Sequence, residues 1–529
     1  MPGSEILKDT GDGNMSYNIT DKTLVTEITT KIAEMVVTKK SEQKYTNLNF
    51  SHPLDNDIVG KNGELKKLLS GNATEIDYSQ AQDLDALWQK LIKKSIECLR
   101  FFDEREPFME LQKTNPVLKP VAYGLDSLAS YQDRYTKFES MLYGASSFYR
   151  DHVFHAVRTW MLGVFCLIKK LDGNEEETST LIDNIVFDGE GGTSFSDDIN
   201  FFEKISMWTI IALCHDLGYP LEKAEQILGK TQEMMKAFIP RPNIWNNFGF
   251  NGTQDTINEY ILKFISTKMK TSSDCEIDSD NKDKMYLGRI QPKYYLKFAK
   301  SLEGFNHGIV SSVIVYKMLL YFLESDFNLN DDYKFKREDA RQFYVRREML
   351  RAMASHTCDD VYNIYLTTFS SLLFLCDEMQ EWGRKSWNDM YAGLTSNAIK
   401  LKINTLSSSI VDIEEEINMN NVDSISLVID NIKRIFDRQH AHYRTKFRDG
   451  QYTKDRDLCI KKKMLLQLGE EGAAENRIEI SFLLSKEGSC FKIDLKNSSI
   501  YSNKANAKKI EEALKGSLYE SDIVVIGTK

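Results

Sequence analysis

The chain has 529 residues, a formal net charge of −10 and 42% hydrophobic residues. This acidic balance argues against non-specific binding to nucleic acid or to an anionic membrane. No apolar run approaches the ~18 residues that a membrane-spanning helix needs, and the N-terminus lacks the basic and apolar segments of a signal peptide. Its eight cysteines stand singly, without a CxxC pair, which favours a reducing compartment. We therefore expect a cytoplasmic, mainly α-helical protein without a membrane partner.

The N-terminal part of the chain changes from polar to amphipathic. Residues 1–22 are polar and aperiodic, so we predict a flexible lead. Residues 23–125 contain helical patterns such as "LVTEITTKIAEMVV" and "DALWQKLIKKSIECLRFF". They predict a helical N-terminal region.

The rest of the chain divides into two parts of different character. Residues 126–400 carry strong helical patterns separated by polar insertions such as "TSSDCEIDSDNKDK", which are typical of surface loops. Residues 401–529 begin with the acidic, helix-like stretch "SSSIVDIEEEINMNNVDSISLVIDNIKRIFDRQH" and continue with strand patterns such as "RIEISFLLS" and "SCFKIDLKN". We predict a helical domain over 126–400, followed by a helical linker and a small α+β domain, and we see no internal repeat.

The segment "IIALCHDLGYPLEK" places two polar residues, His215 and Asp216, at the end of an apolar run. At 3.6 residues per turn, His215 lies on the same face as Trp208 and Ile211, so it projects from the buried stripe of a helix. Burying an unpaired polar group costs about 2 to 7 kcal/mol, and more for a charge. Another group or a bound ion must therefore compensate for the free-energy cost of burying His215 and Asp216.

Other helical patterns place histidines and an aspartate on their apolar faces in the same way. His307 shares a face with Val310 and Ile314, and His356 follows Ala352 by four residues. A lone histidine in such a place is usually a hydrogen-bonded core residue, but several in one helical domain indicate a shared divalent cation. Facing helices of a bundle can bring ligands from distant parts of the chain to one site. The residues with this placement are His155, His215, Asp216, His307, His356 and Asp377.

Three segments between residues 145 and 390, "RDHVFHAVR", "ALCHDLGYPLEKA" and "LLFLCDEMQEWGR", resemble the HD superfamily of metal-dependent phosphohydrolases. The resemblance implies a helical HD-domain bundle over residues 126–400. It also implies that His155, His215, Asp216 and Asp377 hold a first metal, while His307 and His356, with Asp216 as the bridge, suit a second. The cofactor is then one or two divalent ions of Mn, Fe, Co, Ni, Zn or Mg, and His152 is expected to support the ligands.

The resemblance implies hydrolysis of a nucleotide by a metal-activated water, with Asp216, Lys223 and His307 as catalytic residues. We favour a (deoxy)nucleoside triphosphate as the substrate. A cyclic or oligonucleotide phosphodiesterase, and a non-catalytic nucleotide sensor or scaffold, stay open as alternatives. A solvated or ion-paired surface cation is the simpler explanation for any single basic residue near these helices. The candidates for binding the substrate phosphates are Lys223, Arg150, Arg158, Arg347, Arg351 and Arg384.

The role of residues 401–529 is not apparent from their residue types. A regulatory nucleotide or a partner protein could bind there, and a homo-oligomer stays open.

Overall fold

The computed structural model describes most of the chain between residues 16 and 526. The described ranges are 16–46, 48–69, 73–115, 117–145, 151–169, 180–185, 198–237, 253–271, 285–324, 334–361, 364–384, 399–407, 410–419, 425–436, 442–447, 459–468, 477–485, 488–498, 504–514 and 523–526. Within them, no helix is both long and apolar enough to cross a membrane. The fold is mainly helical and also contains a seven-stranded sheet, which is larger than the sequence patterns predict.

The N-terminal region starts with a short strand and is helical thereafter. Residues 17–22, expected to be part of a flexible lead, instead form strand β1 (Tyr17–Ile19) and the start of a helix that Thr20 caps through its side chain. Tyr17 and Ile19 are buried, and the edge of the Tyr17 ring packs on Phe165. Residues 1–15 lie outside the described ranges. The helices are α1 (Asp21–Glu27), continued by a π-helical turn (Ile28–Ile32), α2 (Ala33–Glu42), α3 (Asn56–Val59), α4 (Glu64–Lys67), α5 (Ala81–Asp103) and α6 (Arg105–Thr114).

The central part of the chain is a bundle built around two fully buried helices. It contains α7 (Leu125–Ala145), α8 (Val153–Ile168), α9 (Phe201–Cys214), α10 (Tyr219–Lys236), α11 (Thr253–Ser266), α12 (Pro292–Glu303), α13 (His307–Met318), α14 (Arg337–His356) and α15 (Phe369–Met379). Every residue of α8 and α9 is buried, as expected for helices that are apolar on all sides. Helix α9 packs on α5, α8 and α14, and α13 packs on α14.

Close packing of α8 on α9 depends on a glycine. A Cβ atom on Gly163 would lie only 1.9 Å from the Trp208 ring. The indole nitrogen of Trp208 donates a hydrogen bond to the Trp160 carbonyl at 3.1 Å. Helix α8, which carries His155, and helix α9, which leads to His215 and Asp216, are therefore held together by the Trp208 side chain against the backbone of α8.

A small antiparallel sheet, which the sequence patterns do not predict, follows α11 on either side of the polar insertion at residues 271–284. Its strands are β2 (Thr267–Thr271), β3 (Tyr286–Ile290) and β4 (Lys334–Phe335), in the order β2-β3-β4. Strand β2 begins at the residue after the end of α11. No polar break in the sequence therefore marks the change from helix to strand. The insertion between β2 and β3 lies outside the described residues.

The C-terminal unit is a sheet with helical crossovers. Its strands are β5 (Ile399–Leu406), β6 (Ile410–Met419), β7 (Cys459–Leu468), β8 (Arg477–Ser485), β9 (Gly488–Asp494) and β10 (Ile523–Ile526), and its helices are α16 (Ile425–Ile435), α17 (His442–Phe447) and α18 (Lys504–Leu514). The order is β1-β5-β6-β7-β8-β9-β10. Strands β6 and β7 are parallel, as are β9 and β10, and the other pairs are antiparallel. Two ββαβ units therefore follow one another, a structural repeat that the sequence does not reveal.

The predicted helical linker, which was to begin at residue 401, is wrong for residues 401–406 and 410–419, because they lie in β5 and β6. In β6, Val411, Ile413 and Glu415 are buried, whereas the residues between them are partly exposed. This is the two-residue period of a strand. The run of three glutamates at 414–416 hides this two-residue period in the sequence, because Glu415 occupies one of the buried positions. There it forms an ion pair with Lys462 on β7 at 2.7 Å.

Candidate metal centre

The His215-Asp216 turn at the end of α9 is fixed against α13. The Gly218 N–H donates to the Ser311 hydroxyl at 2.8 Å, and that hydroxyl lies 2.6 Å from the His215 carbonyl oxygen. A Cβ atom on Gly218 would lie 2.3 Å from the His307 carbonyl oxygen, so only glycine permits this approach. The turn therefore presents its side chains in a fixed direction, towards the N-terminal end of α13.

Two of the predicted ligands are oriented by their own helices. The Nδ1 of His215 lies 2.8 Å from the Ala212 carbonyl oxygen, and the Nδ1 of His356 lies 2.6 Å from the Met353 carbonyl oxygen. A carbonyl can only accept, so each Nδ1 carries the proton. The Nε2 of each ring then faces the centre of the bundle, as in metal-binding histidines.

The other two histidines are oriented by side chains. The Nδ1 of His155 lies 2.5 Å from the Gln380 amide oxygen, and the Nδ1 of His307 lies 2.6 Å from a carboxylate oxygen of Glu222. Glu222 also accepts from the His307 backbone N–H at 3.0 Å. Each Nε2 is again left to face inwards.

The Asp216 carboxylate lies at the centre of the four rings. Its Oδ1 is 3.3 Å from the Nε2 of His307 and 3.8 Å from that of His356. Its Oδ2 is 3.4 Å from the Nε2 of His215 and 3.7 Å from that of His155. One oxygen thus faces each pair of imidazoles.

Asp377 closes the cluster on the side of His155 and His215. Its Oδ1 lies 2.8 Å from the Nε2 of His155 and 3.8 Å from that of His215. Burial, together with the nearby Arg384 cation, lowers the pKa of His155 to about 4, so this ring is neutral. The Gln380 amide oxygen lies at the Nδ1 of this ring, so the His155 Nε2 and the Asp377 Oδ1 are placed to bind one cation together.

The charges of the cluster also suit a cation. Burial opposes the ionisation of Asp216 and Asp377, but the surrounding histidines outweigh it and hold the pKa of both carboxyls well below the usual value. Burial alone would lower the pKa of His215, yet the Asp216 and Asp377 carboxylates raise it to about 9. Burial lowers the pKa of His356. Two ionised carboxylates therefore lie in a buried site, where a divalent ion would neutralise them and replace the proton of His215.

Two buried nitrogens provide the test of fit. The Nε2 atoms of His215 and His356 are buried and have no hydrogen-bond partner among the described residues. Buried ring nitrogens without a hydrogen-bond partner are rare in folded proteins and call for an explanation. The cluster contains three overlapping groups whose ligand atoms all lie within 4.8 Å of one another: His155, His215 and Asp216; His215, His356 and Asp377; and Asp216, His307 and His356. The six predicted ligands are thus brought together, positioned to hold a metal ion.

Two of the candidate cations lie beside the cluster. The Nζ of Lys223 is 2.8 Å from Glu222, and it lies 4.7 Å from the centre of the Tyr219 ring. Arg384 donates to the Asp151 carbonyl at 3.3 Å, and the Asp151 carboxylate accepts from the backbone N–H groups at the start of α8. Both cations therefore lie next to residues that orient ligands.

Three other candidates are not brought to the cluster, and the prediction that they bind phosphate is not supported. Arg158 is buried in an ion pair with Asp21. Arg347 is buried, donates to the Thr267 carbonyl at 2.7 Å and pairs with Glu348. The buried Arg351 guanidinium lies over the Tyr294 ring at 4.4 Å. Each cation is occupied in holding elements together. Arg150 lies outside the described residues.

The residues that orient the ligands were mostly not anticipated. Gln380 follows Asp377 by three residues, and Glu222 follows Asp216 by six, so a search for hydrogen-bonding residues one to two turns after each ligand would have found both. His152, expected to support the ligands, stacks on the Tyr219 ring with 4.0 Å between centroids, and its Nδ1 lies 3.2 Å from Glu139. Apart from its place three residues after Asp216, nothing in the sequence indicated that Tyr219 would contact His152.

Comparisons with family models, with curated proteins and with solved structures found no match for this chain. The case for a metal centre therefore depends on the geometry of these residues.

Proposed function

We propose that this protein is a metal-dependent phosphohydrolase of the HD superfamily that hydrolyses a nucleotide, with a (deoxy)nucleoside triphosphate as the favoured substrate. The observation that carries the proposal is the convergence of four imidazole Nε2 atoms and two carboxylates in one buried cluster, two of those nitrogens having no hydrogen-bond partner among the described residues. The order of these six residues along the chain, with a histidine before the His-Asp pair and an aspartate after it, is also the order that resembles the HD superfamily.

The arrangement of the ligands suits hydrolysis at phosphorus. A divalent ion bound there would lower the pKa of water from 15.7 towards about 7 and polarise a phosphoryl oxygen. Asp216 turns one oxygen to each pair of histidines and is placed to bridge two positions. His307 is 18% exposed, against 1% or less for the other three rings, so it faces the side on which a substrate can enter.

The polar residues beside His307 complete the proposed site. Glu222 holds the Nδ1 proton of His307, which leaves Nε2 to bind an ion or to exchange a proton with the substrate. Lys223 and Arg384 supply positive charge next to the cluster, which an overall acidic chain needs in order to attract phosphate groups. Lys223 forms an ion pair with Glu222, so Lys223 would have to leave this ion pair in order to bind a phosphate group.

The test combines metal analysis with a substrate screen on the full chain. Elemental analysis identifies the bound ion, and nucleoside triphosphates, deoxynucleoside triphosphates, monophosphates and cyclic dinucleotides are incubated with added Mn²⁺. Release of triphosphate or orthophosphate supports the proposal, whereas a linear dinucleotide identifies a phosphodiesterase. Metal binding without any product would overturn the enzymatic function and favour a nucleotide sensor or scaffold.

The Asp216→Ala variant tests the site itself. We expect it to lose both bound metal and turnover, because Asp216 faces all four histidines. Asp133→Ala, which removes an exposed carboxylate paired with Lys137, is the matched control and should retain both. Turnover that survives in Asp216→Ala would refute the assigned site.

A further inference from the structure

One short helix of the C-terminal unit packs across the ends of two helices that carry ligands. Helix α17 contacts α15 through Phe374, whose ring centroid lies 5.1 Å from that of Tyr443 and 5.7 Å from that of Phe447. Phe374 precedes the ligand Asp377 by three residues. The same helix reaches the end of α14, which terminates at the ligand His356.

The contact with α14 is made by a lysine. Lys446 is fully buried, and its Nζ donates to the Ser355 carbonyl at 3.1 Å and to the Cys358 carbonyl at 2.5 Å. The Lys446 carbonyl accepts from the Ile364 N–H at 3.1 Å. The last carbonyls of a helix have no partner within the helix, and a cation there interacts favourably with the helix dipole. Lys446 therefore caps the C-terminal end of α14.

The direction of the His356 ring depends on that last turn. Its Nδ1 is hydrogen-bonded to the Met353 carbonyl of the same helix, so the direction of Nε2 depends on the backbone conformation of that turn. On the opposite side the ring is confined by α13, where a Cβ atom on Gly308 would lie 2.8 Å from the His356 Cε1. Without Lys446 the buried Ser355 carbonyl would lose this donor, whereas the Cys358 carbonyl would keep the Val361 N–H at 3.0 Å. The last turn of α14 would then have to move for the Ser355 carbonyl to reach water or another donor.

We propose that Lys446 is a positioning residue of the metal centre, which fixes the last turn of α14 and thereby aims the Nε2 of His356 at the cluster. The C-terminal unit is then part of the support of the centre. The inference rests on the proposed metal site, but not on the bond that is hydrolysed.

The test uses cobalt binding by the full chain, because Co²⁺ reports the geometry of its ligands through its visible absorption spectrum. Lys446→Met should weaken Co²⁺ affinity about 10- to 100-fold, the usual effect of losing a residue that orients a ligand, and should alter the spectrum. Lys446→Arg, which keeps a cationic donor, should restore affinity and spectrum towards those of the wild-type protein.

Lys462→Met is the matched control. Lys462 is also buried in the same unit, where it pairs with Glu415 on the sheet and lies 5.9 Å from the centre of the Tyr443 ring, so it contacts α17 but donates to no carbonyl of α14 among its described contacts. This variant should lose stability while keeping wild-type cobalt affinity and spectrum. If Lys446→Met does not fold, Lys446→Gln, which keeps a neutral donor, takes its place with the same expected direction.

The outcomes separate this inference from the proposed function. A folded Lys446→Met or Lys446→Gln variant that binds Co²⁺ with wild-type affinity and spectrum, or an effect that Lys462→Met reproduces, overturns the positioning role. A wild-type chain that binds Co²⁺ but hydrolyses nothing overturns only the proposed function. A wild-type chain that binds no Co²⁺ overturns both.

Discussion

At the scale of single residues, each histidine of the cluster is held at Nδ1 by an oxygen, and the kind of oxygen differs. Backbone carbonyls hold His215 and His356, an amide holds His155, and only His307 is held by a carboxylate. Burial opposes ionisation of that carboxyl, Glu222, but the hydrogen bond and charge of His307 outweigh it and lower its pKa to about 2. Glu222 is therefore ionised across the working pH range, so among the four rings only that of His307 has a charged oxygen at its Nδ1.

This difference predicts a graded response at Glu222. Glu222→Ala should lower metal affinity or turnover about 10- to 100-fold, because the Nδ1 proton of His307 loses its acceptor. Glu222→Gln should have a smaller effect, since the amide of Gln380 shows that a neutral oxygen can hold the equivalent atom of His155. Isothermal titration with Mn²⁺ and steady-state kinetics measure both effects.

Glu259→Ala serves as the control for Glu222, because Glu259 is a half-exposed carboxylate on α11 that pairs with Lys263 of the same helix. It should leave both quantities unchanged. Equal affinity and turnover in Glu222→Ala and the wild-type protein would show that the carboxylate does not orient His307.

At the scale of elements, the helices that carry ligands are tied together by a buried network outside the cluster. Asp21, at the start of α1, accepts from Arg158 on α8 at 2.8 Å, from the Trp382 indole at 3.0 Å and from the Ile76 N–H at 2.8 Å. Arg158 also donates to the Gly383 carbonyl at 3.0 Å. His155 precedes Arg158 by three residues on α8, and Trp382 and Gly383 follow the helix of Asp377. The network thus fixes two ligand-bearing segments against the N-terminal region.

Breaking this network should be costly. Asp21→Asn leaves the Arg158 charge buried without its partner, and such changes typically destabilise a protein by about 3 to 5 kcal/mol. Denaturant unfolding followed by circular dichroism measures the loss. Asp133→Asn, at an exposed pair with Lys137, should cost no more than about 1 kcal/mol. Similar losses in the two variants would contradict a special role for the buried network.

The elements also show how far the sequence could predict this structure. The helical period placed all six candidate ligands on inward faces, because apolar stripes in α8, α9, α13, α14 and α15 are long and regular. The same reasoning failed for residues whose burial depends on a distant partner. Asp21, Glu415 and Lys446 are charged residues that a sequence pattern assigns to the surface, and each is buried through contacts with residues between 47 and more than 300 positions away. Local patterns contain no information about such partners.

At the scale of the whole molecule, the C-terminal unit is joined to the helical bundle at two places, through β1 and through α17. Strand β1 pairs with β5, with Tyr17 opposite Ile403, and its next residues lead into the Asp21 network. From the other side, α17 contacts the ends of α14 and α15. The sheet is therefore connected to the ligand-bearing helices through two separate sets of contacts. A change that stabilises the cluster should therefore also stabilise the C-terminal unit.

This connection predicts how metal binding acts beyond its ligands. A ligand that binds only the folded state stabilises it by about 2.7 kcal/mol at 100 times its dissociation constant, so Mn²⁺ should raise the unfolding midpoint and EDTA should lower it. Hydrogen exchange should slow in the last turn of α14 and also in α17, because Lys446 joins them. Asp216→Ala should show neither change on addition of Mn²⁺. Slower exchange at α14 with unchanged exchange at α17 would mean that the two helices open independently, and the C-terminal unit would then be a neighbour of the centre without supporting it.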